Sequence, residues 1–232
     1  MTTRTFTVIG VTTTLLLLTL PGIATAKDCG EASGPAGGRV ECACGDTVTT
    51  DITLPGNLNC GNMPGLSVAG DSVLNLGTFT ISGNRNVNMN EGVTIRGTSG
   101  GVLDGTIEGF RVGVGISVHA DRNFVRDIKS MNNMTGVEIR GEENRVFDNR
   151  EITGVTVAGI KAIGRRNEIE NNRVTCANKQ GIGIEIAGNQ QKTVRDNSAQ
   201  NCATGFLIRS DNTGNKNKDF ESELTRNRAD ET

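Results

Sequence analysis

The sequence GVEIRGEENRVFDN runs from Gly136 to Asn149, and GIKAIGRRNEIENN follows it from Gly159 to Asn172. Related glycine-led segments begin at Gly115, Gly183 and Gly205, so the successive glycines are 21, 23, 24 and 22 residues apart. A tandem period of this length is typical of a solenoid, in which each coil packs on the next one.

Apolar residues recur at fixed places after each glycine. The residues one and three positions later alternate with polar ones, which predicts a strand with one buried face. These pairs are Ile116 and Val118, Val137 and Ile139, Ile160 and Ala162, Ile184 and Ile186, and Phe206 and Ile208. A second strand is predicted ten positions after the glycine, at Val125, Val146 and Ile169, with Val194 one place later. We expect the first member of each pair to lie in one continuous buried stack.

The two strands of each segment are separated by an asparagine at Asn123, Asn144 and Asn167, eight positions after the glycine. Asparagine tolerates left-handed backbone and bonds to nearby backbone, so it is a turn residue that can repeat from coil to coil. A strand–turn–strand–turn segment cannot bury its own apolar face, but stacked coils can. The fold class predicted is therefore all-β, a right-handed parallel β-helix formed by a single-stranded solenoid.

The ends of the chain differ from the repeat. Arg4, an apolar run over residues 8–20 and the sequence Ala24-Thr25-Ala26 predict a signal peptide over residues 1–26. Residues 27–64 are expected to form a Cys-rich N-terminal cap, residues 65–210 the coils, and residues 211–232 a polar C-terminal cap or tail. The protein should therefore be secreted, periplasmic or at the cell surface, with no membrane span once the signal is removed.

The six cysteines predict disulfides, because their number is even and the chain is exported. They are Cys29, Cys42, Cys44, Cys60, Cys176 and Cys202. The first four allow three pairings among themselves, and the last two fall at near-equivalent places of successive coils. A metal site at Cys42 and Cys44 is the weaker alternative because no histidine is near.

The net charge of −2 and the acidic pI of about 5.6 argue against a nucleic-acid partner. Nothing in the sequence indicates an oligomeric state.

The glycine-led segments and their Asn and Val/Ile columns resemble the right-handed parallel β-helix proteins of the pectin lyase-like group, in particular secreted members with short repeats. The resemblance extends over residues 42–210. It implies a range of roles: polysaccharide lyases, hydrolases and epimerases, a periplasmic copper-accessory type, phage tailspike-like proteins and noncatalytic surface proteins.

Four residues are candidates for catalysis if the chain is a lyase or epimerase acting on an acidic polysaccharide: His119, Arg140, Lys161 and Glu138. Histidine side chains suit proton transfer near neutrality, and His119 is the single histidine of the sequence. The alternative is structural. An outward column of Ser117, Glu138, Lys161, Glu185 and Leu207 places charges of alternating sign on adjacent strands, where they attract each other.

A further column contains Asp127, Asp148, Asn171 and Asp196. Stacked carboxylates are candidate Ca²⁺ ligands, but such a site needs six or more oxygens, and Lys129, Arg150 and Arg173 lie two places further on. Turn capping is the favoured interpretation, and we expect no cofactor.

The function predicted is that of a noncatalytic carbohydrate-binding or cell-surface module, whose partner is an extracellular polysaccharide. Two alternatives stay open: the lyase or epimerase, and a purely structural envelope or spacer protein.

Overall fold

The computed structural model describes residues 26–30, 32–33, 38–85, 90–188, 191–209, 224–225 and 228–230. Almost all of the predicted signal peptide and most of residues 211–232 lie outside the described residues. The described chain consists of strands and turns and contains no helix, which confirms the all-β prediction.

The strands are short, as expected for coils that turn every few residues. In chain order they are β1 (Asp28–Cys29), β2 (Ala32–Ser33), β3 (Gly38–Arg39), β4 (Thr47–Val48), β5 (Ile52–Thr53), β6 (Leu58–Gly61), β7 (Leu66–Val68), β8 (Val73–Asn75), β9 (Thr80–Gly83), β10 (Glu91–Ile95), β11 (Gly101–Leu103), β12 (Thr106–Glu108), β13 (Val112–Ile116) and β14 (Phe124–Arg126). They continue with β15 (Lys129–Met131), β16 (Thr135–Ile139), β17 (Arg145–Phe147), β18 (Glu151–Val155), β19 (Ala158–Ala162), β20 (Glu168–Glu170), β21 (Arg173–Cys176), β22 (Ile182–Ile186), β23 (Thr193–Arg195), β24 (Ser198–Gln200), β25 (Thr204–Ile208), β26 (Leu224–Thr225) and β27 (Arg228–Asp230).

Every third strand belongs to the same parallel sheet. The first sheet has nine strands in the order β1-β4-β7-β10-β13-β16-β19-β22-β25, the second has eight from β5 to β26, and the third has eight from β6 to β27. Each coil thus gives one strand to each sheet, which confirms the parallel β-helix, but a coil has three strands where the sequence predicted two. The first complete coil begins at β4, upstream of Gly65. A short antiparallel pair, β2 and β3, lies outside these sheets.

The interior is a continuous apolar column. Val137, Ile160 and Ile184 are in register on neighbouring strands and fully buried, as predicted, while Phe206 is partly buried against them. Gly136 shows why glycine precedes them. A Cβ atom there would lie 2.5 Å from both the Ile152 side chain and the Gly159 carbonyl oxygen. The glycine lets the first sheet approach the third closely.

The predicted register was wrong in the first of the aligned segments. Val114, not Ile116, pairs with Val137, and Ile116 pairs with Ile139. Ile116 is still buried, but Val118 is 56% exposed and lies in a turn. The glycine equivalent to Gly136 is therefore Gly113.

Two ladders of buried amide side chains connect the coils at the turns. Asn123, Asn144, Asn167 and Gln191 form the first ladder, between the first and second sheets, and Asn149, Asn172 and Asn197 form the second, between the second and third sheets. In each step the side-chain oxygen accepts from the backbone N–H of the equivalent residue in the preceding coil, over 2.8 to 3.2 Å. The three asparagines of the first ladder were predicted from the sequence, whereas Gln191 and the second ladder were not.

All six cysteines form disulfides, as predicted. The pairs are Cys29–Cys42, Cys44–Cys60 and Cys176–Cys202. Among the described residues no helix is long and apolar enough to cross a bilayer.

Candidate functional site

The outward column of the first sheet consists of paired charges. Glu138, Lys161 and Glu185 are in register on β16, β19 and β22, as predicted. The Lys161 ammonium lies 3.5 Å from the Glu185 carboxylate, and Arg209 lies 2.8 Å from the same group. Arg140 pairs with Glu138 at 2.8 Å. The side chains of both glutamates are less than a tenth exposed, so these carboxylates are committed to neighbours within the protein.

Ser117 does not belong to this column, contrary to the prediction. Gly115 occupies the place next to Glu138, and the Glu91 carboxylate lies over it. The space bounded by Glu91, Ser117, Glu138 and Arg140 is a cavity of about 30 Å³. A cavity of that size suits a water molecule rather than a sugar ring.

His119 stands apart from the other candidate catalytic residues. It lies in the exposed turn after β13, whereas Glu138, Arg140 and Lys161 lie on or next to the strands of the first sheet. Its side chain makes no hydrogen bond or ion pair within the described part of the chain. A general base is normally held within hydrogen-bond reach of its proton and oriented by a third group. The structure does not assemble the four residues into one acid–base site.

The aspartate column lies in the turns between the second and third sheets, at Asp127, Asp148 and Asp196. Together with Asn171, these residues have φ between 51° and 60°, the left-handed region that Asp and Asn tolerate better than most residues. Asp148, Asn171 and Asp196 each directly precede a member of the second amide ladder. No group of three or more His, Cys, Asp or Glu side chains able to hold a metal occurs among the described residues. The turn interpretation accounts for the column, and the structure offers no support for Ca²⁺.

The outer face of the second sheet carries aromatic and apolar side chains that sequence reasoning missed. The inward residues of this sheet, such as Val125 and Val146, are fully buried, so their neighbours along the strand point outward. We call this surface the aromatic face and define it by Val73, Leu103, Phe124, Arg126, Arg145 and Phe147. The signal was present in the sequence, because Phe124 and Phe147 directly flank the buried valine column.

The two phenylalanine rings lie against the outside of the sheet. A Cβ atom at Gly101 would be 2.8 Å from the Phe124 ring, so the ring rests on the glycine backbone. The guanidinium carbon of Arg145 lies 4.7 Å from the centre of the Phe147 ring, and that of Arg126 lies 6.0 Å from it. Both rings are partly exposed. The result is a rigid apolar surface bordered by cations.

A depression of about 420 Å³ continues the aromatic face toward the C-terminal coils. Its walls are Arg122, Glu143, Arg145, Arg166, Glu168 and Lys192. Glu168 accepts from Arg145 at 2.7 Å and from Lys192 at 2.5 Å, and Arg166 lies 3.0 Å from Glu143. Four cations therefore face two carboxylates. Arg122 makes no ion pair with any other described residue.

The charges in this depression are electrostatically coupled. Partial burial raises the pKa of Glu168, but the hydrogen bond and charge of Lys192, together with Arg145, outweigh it. The pKa of this carboxyl therefore lies below its ordinary value. The hydrogen bond to Glu168 raises the pKa of Lys192. Both groups stay charged at neutral pH.

A second depression extends the aromatic face toward the N-terminus. It measures about 280 Å³ and is lined by Asp51, Ile52, Thr53, Val73, Asn75 and Leu103. Neighbouring strands lie about 4.8 Å apart, so the surface from β8 to β20 is roughly 20 Å long.

Comparison with known proteins gives a family for the chain. Residues 51–219, most of the sequence and nearly all of its coils, match the family described as periplasmic copper-binding protein (NosD). The chain belongs to the NosD family. No curated protein and no solved structure matches the chain. The family is a periplasmic one, so the predicted export beyond the cytoplasm is confirmed at the level of the family.

The description of the NosD family names copper, so the question is whether the residues of this chain include suitable copper ligands. Protein copper sites are built mainly from thiolate, thioether and imidazole ligands. All six cysteines are in disulfides, and the sequence has a single histidine, in an exposed turn. The residues described here do not fit a copper site.

Proposed function

We propose that the protein is a noncatalytic binding protein of the periplasm or cell exterior, whose ligand is an extended carbohydrate bound along the aromatic face. The observation that carries the proposal is the pair of rings, Phe124 and Phe147, held on the outside of a rigid sheet. Aromatic side chains supply large contact areas for the apolar face of a ring-shaped ligand. Arg145 beside the Phe147 ring, and Arg122 and Lys192 in the adjoining depression, offer hydrogen-bond donors to hydroxyl or carboxylate groups.

Two further features support a noncatalytic role. The candidate catalytic residues do not converge, and the charged strip of the first sheet is occupied by internal ion pairs. The length of the aromatic face fits a ligand that runs along the solenoid axis and contacts several coils. Because the scaffold is already ordered, little conformational entropy is lost on binding.

The test is binding to a panel of neutral and acidic polysaccharides, followed by calorimetry on the best ligand. We expect Phe147→Ala to weaken binding about tenfold or more, since aromatic residues at the centre of an interface contribute most of its energy. Met131→Ala is the matched control, because Met131 is a partly exposed apolar residue on the outer face of the third sheet. Its affinity should stay within about twofold of the wild type.

Three results would contradict the proposal. Equal affinity of the Phe147→Ala variant and the wild type would exclude the aromatic face as the site. Absence of binding to every polysaccharide would favour the purely structural role. Release of unsaturated uronate by the wild type, abolished by His119→Ala or Arg140→Ala, would instead establish the lyase.

A further inference from the structure

We infer that this chain does not hold copper with its own side chains, and that its membership of the NosD family is carried by the coil repeat. The matched residues, 51–219, coincide with the stacked coils from β5 to β25. The repeated features of that range have structural explanations: the glycines prevent collision with the third sheet, the Val and Ile columns fill the core, and the amide ladders satisfy backbone donors. None of these recurring positions is a copper ligand.

The inventory of ligands is small in the whole sequence, which contains one histidine, six cysteines and five methionines. A cysteine ligates metal as a thiolate, and disulfide formation removes that form for all six residues. Soft thioether ligands would have to come from methionine, of which three lie among the described residues: Met63, Met131 and Met134.

These side chains lie on different parts of the solenoid. His119 is in the turn that follows a strand of the first sheet, and Met131 is on an outward position of the third sheet. Met134 lies before β16, where the chain enters the first sheet again, and Met63 is near the N-terminal coil. A copper site needs several such ligands around one point. Met1 belongs to the predicted signal peptide, and Met89 by itself adds a single ligand.

The carboxylates do not replace the missing ligands. Those on the outside of the first and second sheets, including Glu138, Glu168 and Glu185, are each bonded to lysine or arginine. A metal there would have to displace a cation already in contact with the carboxylate. The paired carboxylates therefore do not supply a copper site either.

The test uses the mature protein, exported so that the disulfides form, and equilibrated separately with Cu(I) and Cu(II) before desalting. We expect fewer than about 0.1 copper atoms per chain and an unchanged melting temperature, because a ligand that binds only the folded state would raise it. One copper retained per chain, or a melting temperature that rises with copper concentration, would overturn the inference. In that case His119→Ala and the Met131→Ala/Met134→Ala double variant would locate the ligands.

A gain-of-function variant sets the sensitivity of the assay. Substituting Glu138→His, Lys161→His and Glu185→His places three imidazoles in register on adjacent strands, about 4.8 Å apart. This variant should retain Cu(II) through desalting when the wild type does not. The difference would show that the scaffold tolerates a copper site and that the natural sequence lacks one.

Discussion

At the scale of single residues, the coils are joined by buried amides, and all of them except Asn144 bond to two backbone groups. Asn172 illustrates the geometry. Its oxygen accepts from the Asn149 N–H at 3.2 Å, and its nitrogen donates to the Val146 carbonyl at 2.9 Å. The residue before it, Asn171, has a φ of 51° and supplies the left-handed turn that directs the Asn172 side chain inward. Two adjacent asparagines therefore have different roles.

This difference predicts that substitutions at the two neighbouring positions reduce the free energy of unfolding by unequal amounts. Asn172→Ala leaves the Asn149 N–H buried without its acceptor and removes one donor to the Val146 carbonyl, at a cost of about 1 to 3 kcal/mol. Asn171→Gly should change the free energy of unfolding by less than about 1 kcal/mol, because glycine adopts the left-handed conformation readily. Urea denaturation measures both. Equal effects of the two substitutions would contradict the roles assigned here.

The sequence predicted these residues only in part, for a physical reason. A buried apolar column has a clear periodicity, and Asn123, Asn144 and Asn167 stand out beside it. The left-handed positions carry no common residue type, since Arg122, Glu143 and Arg166 also adopt them, as the aspartates do. Their backbone conformation is imposed by the stacked turns, so it is visible only in the folded chain.

At the scale of the strand and turn, one coil has a longer turn than its neighbours. Six residues separate Ile116 from Asn123, whereas four separate Ile139 from Asn144. Asn123 lies eight residues after Gly115, just as Asn144 lies eight residues after Gly136. The alignment on Gly115 therefore concealed the two extra residues, although the structural equivalent of Gly136 is Gly113. The sequence VGVGI offers two glycines, and only strand pairing distinguishes them. The sole histidine lies in this enlarged turn, so its position reflects an insertion.

The longer turn also leaves a gap in the first amide ladder. Asn123, Asn167 and Gln191 each donate a side-chain N–H to a carbonyl of the preceding coil, at Gly97, Gly141 and Gly164. The corresponding nitrogen of Asn144 has no partner among the described residues. Its counterpart would be the Ala120 carbonyl, at the end of the inserted segment. The insertion is therefore compatible with the fold but disturbs the ladder locally.

Deleting Val118 and His119 together should give this turn the length found in the next coil. We expect the fold to be kept and the free energy of unfolding to be unchanged or raised by up to about 1 kcal/mol, the value of one additional hydrogen bond. The matched control deletes Gly141 and Glu142 from the next coil, which has no extra residues. That deletion should be strongly destabilising in urea. A large loss of stability on deleting Val118 and His119 would show that the enlarged turn is needed for the fold.

At the scale of the whole molecule, the solenoid is a linear array in which each coil contacts its neighbours in sequence. The free energy of unfolding of such an array is approximately the sum of a contribution from each coil and a contribution from each interface between neighbouring coils. The three disulfides are placed near its ends: two tie the N-terminal region, and Cys176–Cys202 joins β21 to the turn before β25. The central coils have none and depend on the apolar column and the amide ladders.

The last prediction follows from this placement. Cys176 and Cys202 are 26 residues apart, and closing a loop of that length stabilises the folded state by about 3.5 kcal/mol. In a linear array the loss of this link should act locally. The Cys176→Ala/Cys202→Ala variant should therefore lose protection from hydrogen exchange in β22 and β25, while the strands from β10 to β15 keep theirs. The Cys44→Ala/Cys60→Ala variant is the control, with its loss confined to the first coils. Uniform loss of protection along the chain in either variant would mean that the coils unfold as one cooperative unit.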